Sequence, residues 1–366
     1  MKRIGIVGCG DISGIYLENI TNMFGELIII GVCDLIRQRA ENAAEKYKIE
    51  KVYNDMHELF ADPDVDIVLN LTRPYEHFDV SIPALEASKH VYSEKPLGAS
   101  FEEARKIRDL AREKNLVIGG APDTFLGAGI QTCRKLIDDG FIGEIFGASA
   151  YMVCRGHESW HHDPEFYYKY GGGPMMDMGP YYLTALINLL GPIKEITGMS
   201  KISMPERTIT SQPFHGQKIK VDVSTYITGT MGFESGVIGT IFTTFDVHTA
   251  QVPRIEIYGS EGTLCVPDPN TFDGPARLYR AGTDGFSEIP LLFGYNTNSR
   301  ALGLADMAKA IETGRTPRAN GDLLYHVVEV MTGFERASTE RKFIDIESTV
   351  ERPKPMVIPV IKGILD

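Results

Sequence analysis

Cysteine is sparse in this chain of 366 residues, and so are positive charge and long apolar runs. The five cysteines (Cys9, Cys33, Cys133, Cys154 and Cys265) are odd in number, scattered, and contain no C-x-x-C pair. That excludes a disulfide-built fold and points to reduced thiols in a cytosolic protein. Lysine and arginine number 37 against 49 acidic residues, a net charge of -12. A general binder of nucleic acid or of anionic membranes is therefore not expected. The longest apolar stretches, such as Leu27 to Cys33, fall far short of the ~20 residues that span a bilayer. Met1-Lys2-Arg3 runs straight into Ile4-Gly5-Ile6-Val7, with no signal-peptide apolar region or cleavage site, so a cytoplasmic location is expected. Repeats and low-complexity tracts are absent as well. What remains is a globular chain long enough for two domains.

The first of these begins with a β-branched run, Lys2 to Val7, that ends in Gly8-Cys9-Gly10-Asp11-Ile12-Ser13-Gly14 and a helix-compatible stretch from Ile15 to Phe24. A dinucleotide loop needs a glycine at its tight turn and another where backbone approaches the pyrophosphate. It also needs a small residue where the helix meets the strand, with the helix N-terminus aimed at the phosphates. Gly8 and Gly10 fill the first two places and Ser13 the third, with Asp11 and Ile12 between them. A second strand, Leu27 to Cys33, delivers Asp34 near the offset expected of the acid that binds the adenosine ribose. Asp34 also suits the N-cap of a helix from Ile36 to Tyr47, and the two roles are compatible. Such an acid favours NAD and repels the 2′-phosphate of NADP, whereas Arg37 could pair with that phosphate, leaving NADP possible.

Strand and helix patterns then alternate: Val52-Tyr53, Met56 to Phe60, Asp66 to Leu71, Glu76 to Ala87, His90 to Ser93, Phe101 to Lys114 and Leu116 to Gly119. This predicts a doubly wound parallel sheet ending near residue 121. Glu94-Lys95-Pro96 falls where a strand turns into a helix, at the carboxyl edge where such sheets bind ligands. Pro96 favours an extended Lys95, so the ammonium can project from the strand end. An isolated Glu-Lys-Pro would read as a surface ion pair. Its setting argues otherwise.

Gly8-Cys9-Gly10, Val32-Cys33-Asp34, Asn70-Leu71-Thr72-Arg73-Pro74 with His77, and Val91-Tyr92-Ser93-Glu94-Lys95-Pro96-Leu97 together resemble the Gfo/Idh/MocA family. This is the group of glucose–fructose oxidoreductase, inositol dehydrogenase and rhizopine catabolism. The resemblance covers essentially the whole chain, and Glu-Lys-Pro is its most specific element. It implies that Lys95 reaches the reacting carbon beside the nicotinamide, while Glu94 and the Leu71-Thr72 turn line the cofactor. Arg73 departs from the proline that many members carry there.

Beyond Ala121-Pro122 the pattern changes. Helices are predicted over residues 128–139, 181–190, 299–313 and 322–338. Strands are predicted over 145–154, 221–233, 237–247, 254–258, 262–266 and 276–279, the second and third of them forming a hairpin through Glu234-Ser235-Gly236. Residues 122–366 thus read as an α+β domain with an open, mostly antiparallel sheet, followed after Glu351 by an extended arm with Pro353, Pro355 and Pro359. A sheet covered on one face needs a partner for the other, so a homodimer or homotetramer is expected.

Residues 155–182 carry the chemistry of this half. Gly171-Gly172-Gly173-Pro174-Met175-Met176-Asp177 brings a carboxylate to the approach of a helix, and Asp177 and Tyr181 would share one helical face. Asp177 could instead be a plain N-cap. By resemblance, this stretch presents an Asp and, four residues later, a His to the substrate; here the second is Tyr181. His157, His161 and His162 lack zincin spacing, so no metal is expected. Trp160 and six Phe and Tyr side chains crowd the same stretch, and with His157, His161 and Asp163 they suit a polyhydroxylated ligand whose C–H face packs on rings.

The sequence thus predicts an NAD-dependent oxidoreductase acting on a secondary alcohol of a sugar, cyclitol or polyol. Alternatives are a redox-neutral glycosidase, epimerase or lyase with tightly held NAD, or a non-catalytic NAD sensor. Lys95, partly desolvated and beside a cationic nicotinamide, is expected to have a lowered pKa and to share the proton with Tyr181 as phenolate, with Asp177 orienting the substrate or the lysine.

Overall fold

Residues 1–358 of the computed structural model are described here. The first unit comprises β1 (Lys2–Val7), α1 (Ser13–Asn22), β2 (Leu27–Cys33), α2 (Arg37–Tyr47), β3 (Lys51–Val52), α3 (Met56–Ala61), β4 (Ile67–Asn70), α4 (His77–Glu86), β5 (His90–Ser93), α5 (Phe101–Glu113) and β6 (Ile118–Gly120). Its strands lie in the order β3-β2-β1-β4-β5-β6, every pairing parallel. That is the doubly wound arrangement, with a topological switch between β1 and β4 where the loops diverge. The central strands β1, β4 and β5 are covered on both faces, which explains their near-continuous apolar sequences.

The second unit runs through α6 (Ala128–Asp138), β7 (Ile145–Val153), α7 (Gly173–Leu190), β8 (Ile193–Lys201), β9 (Glu206–Thr208), β10 (Lys218–Lys220), β11 (Tyr226–Phe233) and β12 (Ile238–Thr244). It continues with β13 (Ile255–Gly259), β14 (Gly262–Val266), β15 (Ala276–Arg280), β16 (Ser287–Ile289), α8 (Leu302–Thr313), α9 (Gly321–Glu340) and β17 (Ile344–Asp345). Among the described residues a nine-stranded sheet has the order β16-β15-β14-β13-β7-β12-β11-β8-β17, and only β12 and β7 run parallel there. β9 and β10 form a separate ribbon.

Helices α6, α7 and α9 cover one face of the large sheet, and α9 also packs on α5 and β6 of the first unit. The chain just before α9 extends the first sheet, since the Gly120 amide donates to the Ala319 carbonyl. On the other face, Met199 and Ile238 are 73% and 62% exposed, among half-exposed rings of Tyr151, Tyr226 and Phe242. No helix among the described residues is long and apolar enough to cross a membrane.

Two expectations need correction here. α7 starts at Gly173, with Gly172 as its N-cap, so Asp177 lies inside the helix and is not its cap. Pro174 fits the first turn, where its missing N–H costs nothing. β8 went unforeseen because a register shift at Gly232/Phe233 puts Ile193 and Ile196 on the same buried face, breaking the period of two. The arm after Glu351 has no regular element up to residue 358 and is tied to α6 through Arg134 to the Pro353 carbonyl; Pro359 lies outside the described residues.

Candidate active site

The two units meet over the carboxyl edge of the parallel sheet. Three loops gather there: residues 8–12 after β1, 71–76 after β4, and 94–97 after β5. Gly8 has φ +98°, and a Cβ on it would stand 2.9 Å from the Leu71 carbonyl, so only glycine lets these loops approach. Around Gly10 a Cβ would meet nothing within 4 Å, which leaves open space in front of the α1 N-terminus. No side chain caps that terminus and its first turn carries no acid. Free amides beside open space fit a pyrophosphate.

Asp34 accepts hydrogen bonds from the Cys9 and Ile36 amides, each at 2.7 Å, which aims its carboxylate at the loop after β1. Arg37 is engaged elsewhere: its guanidinium pairs with Glu41 at 2.8 Å and donates to the Asn54 side-chain oxygen Oδ1 at 2.7 Å. Asp11 is exposed at the lip of the loop, and Ile12 half-buried beside it. Leu71 is buried and Thr72 half-buried, its hydroxyl donating to Asn70 at 2.6 Å. His77, expected at the cofactor, is fully buried behind the turn. Its ring nitrogens lie 2.6 and 3.0 Å from the Pro96 and Thr72 carbonyl oxygens. It fastens two loops together instead of lining them.

Glu94 is buried. It accepts from the Tyr16 hydroxyl at 2.8 Å and from the Lys95 amide at 3.0 Å. Lys95 leaves the strand end and crosses to the second unit. There its ammonium donates to the Asp177 carboxylate at 2.7 Å and to the Asp177 carbonyl at 2.6 Å. Burial pulls this ammonium down, but Asp177, then Tyr181 and Glu94, pull it up further, and its pKa stands above that of an ordinary lysine. The lowered pKa expected from the sequence is corrected by this direct contact.

Tyr181, one turn beyond Asp177, is buried and offers its ring face to the ammonium, 5.3 Å from the centroid. Burial pushes its phenol above the usual range, and the nearby Lys95 and Arg300 charges reduce that shift without reversing it. A phenolate at neutral pH, the form expected above, does not follow from this environment.

The strap between β7 and α7, residues 154–172, supplies the remaining groups. His157 is buried with Nε2 3.6 Å from the second Asp177 oxygen, stacked on Tyr167 at 3.7 Å and edge-on to Phe245 at 4.7 Å. Its Nδ1 is buried without a hydrogen-bond partner among the described residues. Burial drives the imidazole pKa down to about 4, with Asp177 opposing, so the ring is neutral at pH 7. Trp160 and His161 sit further out, Trp160 5.3 Å from the His157 ring and 64% exposed. His161 accepts the Asp163 amide at 3.0 Å and stacks on His162, which approaches Asp11 at 3.7 Å. Asp11, His161 and His162 bring potential ligand atoms within 4.8 Å of one another.

Sequence reasoning missed the frame that holds this strap. Arg207, in the ribbon, donates to Glu158 at 2.6 Å, to the Phe245 carbonyl at 2.8 Å and to Asp246. The Tyr168 hydroxyl donates to the other Glu158 oxygen. Gly172 closes the strap: a Cβ there would stand 2.5 Å from the Phe166 carbonyl. Arg73 reaches across from the loop after β4, pairs with Asp163 at 2.7 Å and covers the Phe166 ring at 5.2 Å. That gives the departure from proline a physical role.

Comparisons with known proteins agree with this geometry. Residues 2–120 match the family model of an oxidoreductase family with an NAD-binding Rossmann fold, GFO/IDH/MocA, and residues 130–265 match the GFO/IDH/MocA C-terminal domain. Among curated proteins, the myo-inositol 2-dehydrogenase of Thermotoga maritima is 24% identical over 72% of this chain and 74% of its own. The NAD(+)-dependent scyllo-inositol 2-dehydrogenase of Bacillus subtilis is 26% identical over 86% and 87%. Among solved structures, a levoglucosan dehydrogenase in complex with NADH superposes with a TM-score of 0.81 at 21% identity, covering 95% of this chain and 99% of that one.

Proposed function

The chain belongs to the GFO/IDH/MocA oxidoreductase family, and we propose that it oxidises, or in reverse forms, one secondary alcohol of a sugar or cyclitol, with NAD as cofactor. In this reading residues 1–121 bind NAD and residues 122–366 bind the substrate and a second copy of the chain. The observation that carries it is the array of Lys95, Asp177 and His157, drawn from three separate elements onto one point above the sheet edge.

The bound nicotinamide supplies hydride transfer at the carbinol carbon. The chain's residues hold the alcohol and manage its proton. Lys95, kept cationic by Asp177, donates to the substrate oxygen and stabilises negative charge as the O–H proton departs. His157 is neutral, and its Nε2, 3.6 Å from the second Asp177 oxygen, is the ring nitrogen that faces the array and can accept that proton. It would stand in for the histidine that relatives carry at the position of Tyr181, and Tyr181 would serve as a wall under the ammonium. Asp34, with Arg37 engaged by Glu41 and Asn54, supports NAD over NADP. The rings on the open sheet face support sheet-on-sheet pairing of two copies, and the reduced cysteines a cytoplasmic location.

NADH formation across a panel of hexoses, pentoses and inositols tests this directly. Accumulation with one of them is expected. NADH that never accumulates while the sugar is epimerised or cleaved would favour the redox-neutral reading, which the strap's fastening across the cofactor groove supports.

A further inference from the structure

We propose that the chain carries a second ligand site, for a small oxyanion such as a phosphate monoester or a carboxylate, at the root of the strap. A cavity of 330 Å³ opens there, lined by Arg155, His248 and Arg254 together with Tyr151, Cys154 and Thr249. It stands behind the active site. Cys154 begins the strap and is tied to the end of β12, its amide to the Thr244 carbonyl at 3.1 Å and its carbonyl to the Val247 amide at 3.2 Å. Between these two, Phe245 packs on the His157 ring at 4.7 Å, and His248, three residues on, lines the cavity.

Every charged side chain in this lining is a cation, in a chain of net charge -12. The Arg155 Nε donates to His248 Nε2 at 3.1 Å. The neutral imidazole then keeps its proton on Nδ1, so guanidiniums and ring alike offer N–H groups. The nearest acids neutralise them poorly. Glu158 lies 3.4 Å from Arg155 and Asp268 3.5 Å from Arg254, against the ~2.7–2.9 Å of a charge-assisted hydrogen bond. Glu158 sits closer to Arg207, at 2.6 Å. A single exposed arginine is ordinary surface charge. A cavity walled by one sign of charge focuses its field and draws a counter-ion, and guanidinium forks match oxyanions in shape as well as charge. The volume is at the small end of ligand pockets and fits an oxyanion on a short carbon skeleton. Arg155 also couples the site to the strap: it reaches Glu158, and its carbonyl accepts from Arg207 at 3.2 Å. An anion that engages Arg155 therefore pulls on the frame that holds His157.

The test titrates orthophosphate, glucose 6-phosphate and citrate into NAD-saturated protein by calorimetry, at constant ionic strength in chloride. Saturating NAD keeps these anions off the pyrophosphate loop. We expect saturable binding of orthophosphate, weakened at least tenfold in Arg155→Gln and in Arg254→Gln, with part of the loss recovered in Arg254→Lys, which keeps the charge without the fork. Tighter binding of glucose 6-phosphate than of citrate assigns a phosphate monoester, and the reverse order a carboxylate. The chain's one tryptophan, Trp160, lies on the strap, so its emission reports the coupling. It should change over the same titration in wild type and stay constant in Arg254→Gln. Emission that never moves overturns the coupling and leaves the site. Heat no greater than that of chloride, or equal affinity in wild type and both glutamine variants, overturns the site. So does a loss of oligomeric mass in those variants, for the cavity would then hold an acidic group of a second copy. Binding is read without turnover, so none of these outcomes bears on the oxidoreductase reading.

Discussion

The turn that carries Lys95 and the strap that carries His157 face each other across one cleft, yet they are held by different forces. The turn hangs from a parallel sheet: β5 pairs with β4 and β6, and the Glu94 amide donates to the Asn70 carbonyl at 2.8 Å. Main-chain bonds therefore place Lys95, and its neighbours in space are nearby in topology. The strap has no strand partner of its own among the described residues. A few main-chain bonds reach it, from the Thr210 and Ser211 amides to the Glu158 carbonyl and from the Asp222 amide to the Tyr168 carbonyl, and the rest of its hold comes from side chains, chiefly Arg207 with Glu158 and Asp246, and a stack of rings under His157. The lesson is a division of labour: the sheet edge fixes the cationic group, and a largely side-chain frame fixes the histidine and the rings that face it across the cleft.

Removing Lys95 should break the sheet-edge side most severely. Lys95→Ala is expected to lower kcat by roughly 10²–10⁴, the usual worth of a proton-managing group. The affinity for NADH, measured by fluorescence, should change by less than ~10-fold, since the loop amides and Asp34 remain. A drop confined to NADH affinity would make Lys95 a cofactor residue and nothing more.

The strap should break through its frame. Arg207 is 2% exposed at its side chain and lies between two carboxylates. Arg207→Met leaves Asp246 without its counter-ion and Glu158 with only the half-exposed Arg155 at 3.4 Å, and removing one partner of a buried pair costs about 3–5 kcal/mol. Urea unfolding should show it, and adding Glu158→Gln and Asp246→Asn should recover part. The same triple change should still impair turnover, because the strap loses the charges that aim His157. Full stability in Arg207→Met alone would show that the strap is held by its rings.

This contrast also explains what could be read in the chain. Gly8, Gly10, Asp34 and Glu94-Lys95-Pro96 follow from local rules, because strand, turn and helix succeed each other and the loops fall on one edge. Asp177 was legible as a residue but not in its setting: glycines and Pro180 disguise a helix that already begins at Gly173. Arg207 left no signal, for a lone arginine in a short ribbon reads as surface charge, and its partners lie 49 and 39 residues away. His157 could be nominated by its company of rings. Its pairing with Asp177 depends on how the strap folds back, which no periodicity encodes.

The pH dependence sharpens the comparison, since His157 belongs to the strap and Lys95 to the turn. Facing His157, Asp177 and Glu158 raise its pKa while Lys95 and His161 lower it, but burial dominates and leaves it at about 4. The acid limb of kcat should therefore fall well below the ~6.5 of a free imidazole. His157→Gln should remove that limb along with most of the rate. The linkage to stability has a definite sign: the folded pKa is depressed, so the contribution is complete above ~6.5 and is lost as pH falls toward 4. His326 is likewise driven to about 4 by burial, so the difference between wild type and His157→Gln isolates the strap's share. An acid limb near 6.5 would mean an exposed histidine carries the proton.

The smallest effect is expected where the two regions touch. Arg73 and Asp163 join the loop after β4 to the strap at 2.7 Å, with His162 approaching Asp11 on the other lip of the groove. NAD bound along the loop after β1 would pass beneath this crossing, so its release should require the strap to lift. The pair is partly exposed, with side chains 44% and 31% accessible, and an exposed ion pair is worth about 0.2–1 kcal/mol. The cation over the Phe166 ring adds a contribution of similar size. Asp163→Asn, which keeps the shape and removes the charge, should therefore speed NADH dissociation by about two- to fivefold in stopped-flow fluorescence. Arg73→Pro, which restores the residue common among relatives, should do at least as much by removing the ring contact too. Higher salt should narrow the gap between wild type and either variant, because it weakens the exposed pair only in the wild type. If NADH leaves all three proteins at one rate, the strap does not cover the cofactor, and the two regions act independently during exchange.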